Sequence, residues 1–321
     1  MKEINIMEIG GFKIGQAEDL AAMTGCTVIL PDTAAPTGCD IRGGGPASRE
    51  TPLLDPRSDA KGINALLLSG GSAFGLDAAG GVMKYLEERN IGFDVGVTKV
   101  PLVCQSCLFD LVIGDTFVRP DAKLAYSACE KASYEEPKNG NFGAGTGCTV
   151  GKYRGRDNCM KSGIGTYGVQ CGELKVGAIV AVNALGDIFD VDTGEQIAGL
   201  LNDKRQLIST EEEMWKDAGK EHELFTGNTT IGAIITNAAF DKVLLGKIAS
   251  MAHNGYARTI RPVHTTADGD SIYAMSTGDL KGDVNTVGTL AAYVMAKAIN
   301  RAVRSAESAE GFPSAKEIRG I

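Results

Sequence analysis

A threonine hydroxyl becomes a usable nucleophile only when a base stands within hydrogen-bond reach, because its own pKa lies far above neutrality. Thr229, in the run Gly227-Asn228-Thr229-Thr230-Ile231, can meet that need from its own backbone. A cut between Asn228 and Thr229 turns the amide nitrogen of Thr229 into an α-amine, whose reference pKa of about 7.7–8.0 suits it to take the hydroxyl proton of the same residue. The chain can make that cut itself: the hydroxyl attacks the Asn228 carbonyl, an N-to-O shift gives an ester, and water releases it. Gly227 permits the strained backbone that such an attack needs. The same residues also read as an ordinary turn entering a strand.

Three other places offer matching chemistry. Thr265-Thr266-Ala267-Asp268-Gly269-Asp270 carries two carboxylates two residues apart, able to project together toward one ammonium and hydroxyl, although Asp-Gly is first of all turn chemistry. Asn183 ends an apolar run from Val176 and offers an amide N–H to an oxyanion. Lys152 closes the glycine-rich stretch that begins at Gly143. A phosphate-cradling Walker loop needs glycine where this chain has Thr146 and Ser or Thr where it has Tyr153, so the nucleotide reading fails. What remains is a turn packed closely against another backbone, ending in a lysine suited to a buried, pKa-shifted role.

Other chemistries find less support. His222, His253 and His264 lie in a charged loop, at a helix end and at a strand approach, and no GxSxG elbow accompanies them, so a Ser-His-Asp triad is not indicated. His264 reads as a structural or lining residue. Of the eight cysteines, only Cys104 and Cys107 form a CxxC. With no second pair, the thiols read as small reduced core residues rather than a disulfide framework or metal site. No cofactor and no metal are expected.

The elements that must hold these residues alternate between short apolar runs and amphipathic stretches, which gives a mixed α and β chain. Gly62 to Leu68, Val176 to Asn183 and Ile231 to Thr236 read as strands. After Ser69-Gly70-Gly71-Ser72 a helical stripe runs through Phe74, Leu76, Ala79, Val82, Met83 and Leu86. Asp241 to Asn254 reads as a helix closed by Gly255, and Val287 to Val303 as a late helix. Between Leu201 and Leu224 the texture turns highly charged around the one tryptophan, as in a surface loop or solvated helix.

Composition narrows the class. Glycine fills 42 of 321 positions, about twice the ordinary share of roughly 7%, without a Gly-X-Y period; this describes a compact chain with many tight turns, long enough for one large or two ordinary domains. Acidic residues outnumber basic ones 40 to 32 and no basic stretch appears, which argues against nucleic acid. The longest apolar runs fall far short of the roughly 18–20 residues that span a bilayer. The start lacks a basic segment followed by an apolar one, so a cytoplasmic location and no membrane partner are expected.

In sequence order, Thr24-Gly-Cys-Thr-Val28, Arg42-Gly-Gly-Gly-Pro46, Leu68-Ser-Gly-Gly-Ser-Ala-Phe-Gly-Leu76, Val100-Pro-Leu-Val103, Gly143-Ala-Gly-Thr-Gly147 with Gly151-Lys152, Val182-Asn-Ala184, Asn228-Thr-Thr-Ile231, and His264-Thr265 with Asp268-Gly-Asp270 resemble the L-aminopeptidase/D-Ala-esterase family. That family includes β-aminopeptidases and nylon-oligomer hydrolases. The resemblance implies an α/β, four-layer αββα sandwich, shared with the ornithine acetyltransferases. It implies one hydrolase domain over residues 1–321, cut between Asn228 and Thr229 into an α chain, 1–228, and a β chain, 229–321, that stay together. It makes Thr229 the nucleophile with its freed amine as base, Lys152 the group that tunes it, Asn183 the oxyanion donor, and Asp268 and Asp270 the holders of the amine and hydroxyl.

The substrates so implied are short peptides, amino-acid amides or esters and 6-aminohexanoate oligomers, processed by a homo-oligomer, a tetramer of αβ units. The Asp268-Gly-Asp270 pair is more like the nylon-oligomer hydrolases than the β-aminopeptidases. Cys104 stands where relatives often have proline, and Phe109 where many have a tyrosine lining the site. Two alternatives stay open: an acyltransferase of the ornithine acetyltransferase type, with an amine as acceptor, and an uncut relative serving as a binding or structural protein.

Overall fold

The structure, a computed structural model, describes residues 1–220 and 227–321. His222, Leu224 and the residues just before Gly227 lie outside the described residues.

Side-chain alternation along the strands explains the layers. In the strand Leu174–Ala181, Val176, Ala178 and Val180 join one apolar cluster while Ile179 and Ala181 join another, as a period of two demands. In Ala65–Ser69, Leu66 and Leu68 meet that second cluster, and Ala65 and Leu67 turn away from it. The shared cluster, with Ile29, Leu66, Ile179, Ile235 and Met275 all buried, is therefore the interior between two sheets.

One sheet has six strands in the order Lys2–Ile4, Ile164–Cys171, Leu174–Ala181, Ile231–Ala238, Ser271–Leu280, Thr37–Ile41. The other has five: Phe12–Asp19, Thr24–Pro31, Ala65–Ser69, Val103–Cys107, Ala47–Arg49. Each is antiparallel except for a single parallel pair, and each parallel pair spans a helical crossover. The helices α1 (Ala79–Glu87) and α2 (Ala122–Glu130) cover the outer face of the five-stranded sheet. On the outer face of the six-stranded sheet lie α4 (Lys242–Thr259) and α5 (Val284–Arg304), while α3 (Thr210–Lys216) falls in the charged stretch. This is the expected αββα sandwich. Among the described residues no helix is long and apolar enough to cross a membrane.

Three of the differences from the sequence reading bear on the site or on packing. The helix after Ser69-Gly70-Gly71-Ser72 begins as a 3-10 turn, Ser72–Ala78, whose threefold period breaks the stripe. Phe74 thus points outward, 60% exposed, under the Arg119 guanidinium at 3.8 Å. The strand before Asn183 ends at Ala181, leaving Asn183 just beyond the ladder with its side chain free for other partners. Gly255 does not close its helix, which runs on to Thr259.

The reason for that glycine is packing. A Cβ on Gly255 would stand 2.6 Å from the Ala292 carbonyl oxygen of α5 and 2.9 Å from the Met295 Cβ, so its absence sets how closely α4 and α5 approach. Gly255→Ala is expected to lower stability by about 1–3 kcal/mol through overpacking, despite alanine's better helix propensity. Urea unfolding checks this; an unchanged or raised midpoint would show that the helices have room to give.

Candidate active site

The strands Ile231–Ala238 and Ser271–Leu280 run parallel, with Ile231 opposite Ser271, and the pairing continues outward as a bridge between Asn228 and Asp268. The nucleophile and acid segments proposed from sequence therefore lie side by side. Asn228 and Thr229 are buried, at 2% and 4% exposure. Both polar groups of the peptide between them are held. Its carbonyl accepts from the Gly269 N–H at 3.1 Å, and its N–H donates to the Asn183 carbonyl at 2.9 Å. The Thr229 hydroxyl donates to the same Asn228 carbonyl oxygen. Gly269 is there for space: a Cβ would stand 2.6 Å from the Thr229 Oγ1.

Lys152 reaches the preceding peptide, through the Gly227 carbonyl. Its Nζ donates to the Asn183 Oδ1 at 2.7 Å, the Gly227 carbonyl at 2.9 Å and the Asn183 carbonyl at 3.1 Å. Burial lowers its pKa to about 8, because a low-dielectric interior disfavours the charged form. The glycine before it explains how so long a side chain becomes fully enclosed. Gly151 has φ of +73°, and a Cβ there would be 2.0 Å from the Gly199 carbonyl carbon, so only glycine lets the two backbones meet.

Asn183 is fixed at both ends of its amide. Its Oδ1 accepts from Lys152 and from the Thr149 N–H at 3.0 Å; its Nδ2 donates to the Phe109 carbonyl at 2.7 Å and to the Gly227 carbonyl at a long 3.5 Å. The Asn228 carbonyl is thus held by the Gly269 N–H and the Thr229 hydroxyl rather than by the Asn183 amide. The acids frame Thr229 rather than touching it. Asp270 accepts the Thr230 N–H on Oδ1 at 2.8 Å, and Asp268 accepts the Thr265 N–H and hydroxyl on Oδ2 at 2.8 and 2.6 Å. Burial, followed by the charge of Asp270, pushes the Asp268 carboxyl up to about 6.

Several participants carried no sequence signal. The Gly269 and Phe109 backbone groups are invisible to a reading by residue type. Asp110 is buried, accepts the Thr24 hydroxyl at 2.6 Å and the Gly71 N–H at 2.7 Å, and so pins the segment that supplies the Phe109 carbonyl. Lys161 is a second fully enclosed amine, donating to the carbonyls of Ser162 at 2.5 Å, Cys148 at 3.0 Å and Gly145 at 3.4 Å. Cys104 and Cys107 are free, their thiols pushed up by burial, which makes them poor thiolate ligands or nucleophiles. His253, expected near a helix end, is instead wholly buried within α4.

The model of Peptidase family S58 matches residues 5–316. The chain belongs to peptidase family S58. An uncharacterized aminopeptidase of Mycobacterium leprae is 35% identical over 337 residues, covering 97% of this chain and 92% of the relative. A 6-aminohexanoate-oligomer endohydrolase of Agromyces is 31% identical over 283 residues, 87% of this chain and 76% of that enzyme. The solved L-aminopeptidase D-Ala-esterase/amidase of Ochrobactrum anthropi, described as a variant of the Ntn hydrolase fold, superposes with a TM-score of 0.70 at 17% identity, over 94% of this chain and 86% of that one. A Burkholderia β-aminopeptidase gives 0.67 at 18%, over 97% and 90%. The S58 chain is thus a hydrolase of amide bonds, which decides against the acyltransferase alternative.

The two enclosed lysines of this S58 chain have a consequence for stability. Lys161 is lowered by burial to about 8, whereas an unfolded lysine keeps its proton to about pH 10.4. Between those values the unfolded chain binds more protons, so this residue's contribution to stability rises with pH. The stability advantage of wild type over Lys161→Met is expected to grow by about 1–2 kcal/mol from pH 7.5 to 9.5. Paired denaturant titrations at the two pH values measure it; an advantage that stays constant would refute a lowered amine.

Proposed function

We propose that this S58 hydrolase is a self-processing N-terminal-threonine amide hydrolase, one domain over residues 1–321 whose own 228–229 peptide is its first substrate. The observation that carries this is the doubly held Asn228–Thr229 peptide, with the Thr229 hydroxyl on its carbonyl oxygen and the Lys152 amine 2.9 Å from the neighbouring Gly227 carbonyl.

The steps follow from the geometry. Thr229 Oγ attacks the Asn228 carbonyl carbon as its proton leaves for the Thr229 nitrogen, which departs as an amine, while Lys152, its N–H groups taken by the Gly227 and Asn183 oxygens, holds the peptide in place. The Gly269 N–H stabilises the oxyanion. The C–N bond breaks, the Thr229 nitrogen takes a proton, and water hydrolyses the ester, leaving residues 1–228 and 229–321. In the processed enzyme the Thr229 amine takes the hydroxyl proton. The substrate acyl group passes to Oγ, its amine or alcohol leaves with a proton, and water regenerates the threonine. Asp270 and Asp268 orient the amine and hydroxyl, and Asn183, once Gly227 no longer occupies its amide, donates to the substrate oxyanion.

The substrates proposed are short peptides, amino-acid amides or esters, with 6-aminohexanoate oligomers suggested by the Agromyces relative. Phe109 brings no hydroxyl to the site, so a substrate carbonyl gains no phenolic donor there. The eight free thiols fit a reducing, cytoplasmic setting. Exposed apolar groups such as Val97 and Phe117, 93% and 86% accessible, fit burial between αβ units of a homo-tetramer.

Intact-mass analysis should show fragments of about 24 and about 10 kDa, in proportion to chain length, from the 33.6 kDa chain. Thr229→Ala should stay whole and lose hydrolysis of aminoacyl p-nitroanilides by at least about a thousandfold. Uncut wild type with full amidase activity, or none in either protein beside intact ligand binding, would defeat the reading.

A further inference from the structure

Asp270 divides its two oxygens between different tasks. Oδ1 takes the Thr230 N–H at 2.8 Å, the amide next to the nucleophile. Oδ2 is taken by one residue twice: the His264 N–H at 3.1 Å and its ring Nδ1 at 2.8 Å. A carboxylate oxygen has no proton to give, so Nδ1 is the donor. A two-point hold of this kind from a single residue fixes both the position and the rotation of the carboxylate.

The histidine is itself held against strain. Its φ is +60°, in the left-handed region, a conformation that non-glycine residues keep only where their surroundings enforce it and that clusters at functional sites. The enforcement is visible. The His264 ring stacks on Tyr256 at 5.9 Å and 27° and meets the edge of His253 at 4.7 Å. His253 is anchored by its Nε2 at 3.0 Å from the Asp40 carbonyl oxygen. The Tyr256 hydroxyl donates to the Thr230 carbonyl at 3.3 Å. The stacked pair therefore grips Thr230 at both ends, His264 by way of Asp270 at the N–H and Tyr256 at the C=O.

We propose that His264 is a positioning residue that keeps Asp270 Oδ1 on the Thr230 amide, and thereby sets the direction of the Thr229 hydroxyl and of the amine that processing frees. The proposal rests on the reaction assigned above to Thr229. A histidine suits the place because it tolerates the left-handed backbone while carrying a donor on Cγ. Asparagine shares both properties, since its Nδ2 occupies the position of the histidine Nδ1.

The test compares His264→Gly, which relieves the backbone and removes the ring donor, with His264→Asn, which keeps the donor and discards the ring. Three quantities are read: the rate of conversion to two fragments by intact mass, kcat and KM of the processed enzyme on an aminoacyl p-nitroanilide, and the melting temperature. His264→Gly should slow processing and lower kcat by about tenfold to a hundredfold with KM within about threefold, and His264→Asn should recover to within about threefold of wild type. If the glycine variant does not fold, His264→Leu against His264→Asn reads the same difference. A donor-free variant as fast as wild type, or an asparagine variant as slow as the donor-free one, overturns the proposal while an active wild type leaves the hydrolase reading standing. A wild type that neither processes nor hydrolyses removes the hydrolase reading, and this proposal with it.

Discussion

The parallel register between Ile231–Ala238 and Ser271–Leu280 is the constraint on which the site depends. A parallel pair starts both strands at the same end of the sheet, so the residues leading into each strand are neighbours. With Ile231 opposite Ser271, three residues back in each chain places Asn228 opposite Asp268. An antiparallel pairing would carry Asp268 to the far end of the strand that Thr229 leads into. Satisfying this register needs a crossover, and α4 supplies it across the outer face of the sheet. Its Tyr256 hydroxyl reaches back to the carbonyls of Thr230 and Ser271, so the connecting helix also braces the strand ends it joins.

Against that fixed edge the remaining groups are arranged by burial. An amine in a low-dielectric interior is tolerated only when oxygens surround it, and Lys152 has three. Two of them belong to Asn183, so the lysine and the asparagine order each other. Asp110 secures the Phe109 carbonyl that takes the asparagine's other end. The result is a network in which each polar group limits the freedom of the next, the preorganisation that electrostatic catalysis relies on.

Side chains with distinctive chemistry were legible from sequence, because threonine, lysine, asparagine and paired aspartates announce what they can do. Their partners were not. Gly269 acts through an N–H that every residue but proline has, and Phe109 through a carbonyl, so neither type nor spacing points to them. His264 was legible only as a structural or lining residue, since its two-point contact depends on a left-handed backbone that no neighbouring residue signals. Gly255 shows the opposite failure: a true signal assigned to the wrong cause, as the glycine serves the α4–α5 crossing rather than a helix end. The 3-10 start of the first helix similarly rotated Phe74 out of a stripe that looked continuous.

The sheet order has one more consequence. The strands from the last third of the sequence, Ile231–Ala238 and Ser271–Leu280, sit inside the six-stranded sheet, between Leu174–Ala181 on one side and the edge strand Thr37–Ile41 on the other. A cut between Asn228 and Thr229 would sever covalent continuity while leaving the ladders of Ile231–Ala238 paired on both sides. The pieces are dovetailed, and parting them would mean unzipping ladders on both sides of an interior strand pair rather than sliding one body off another.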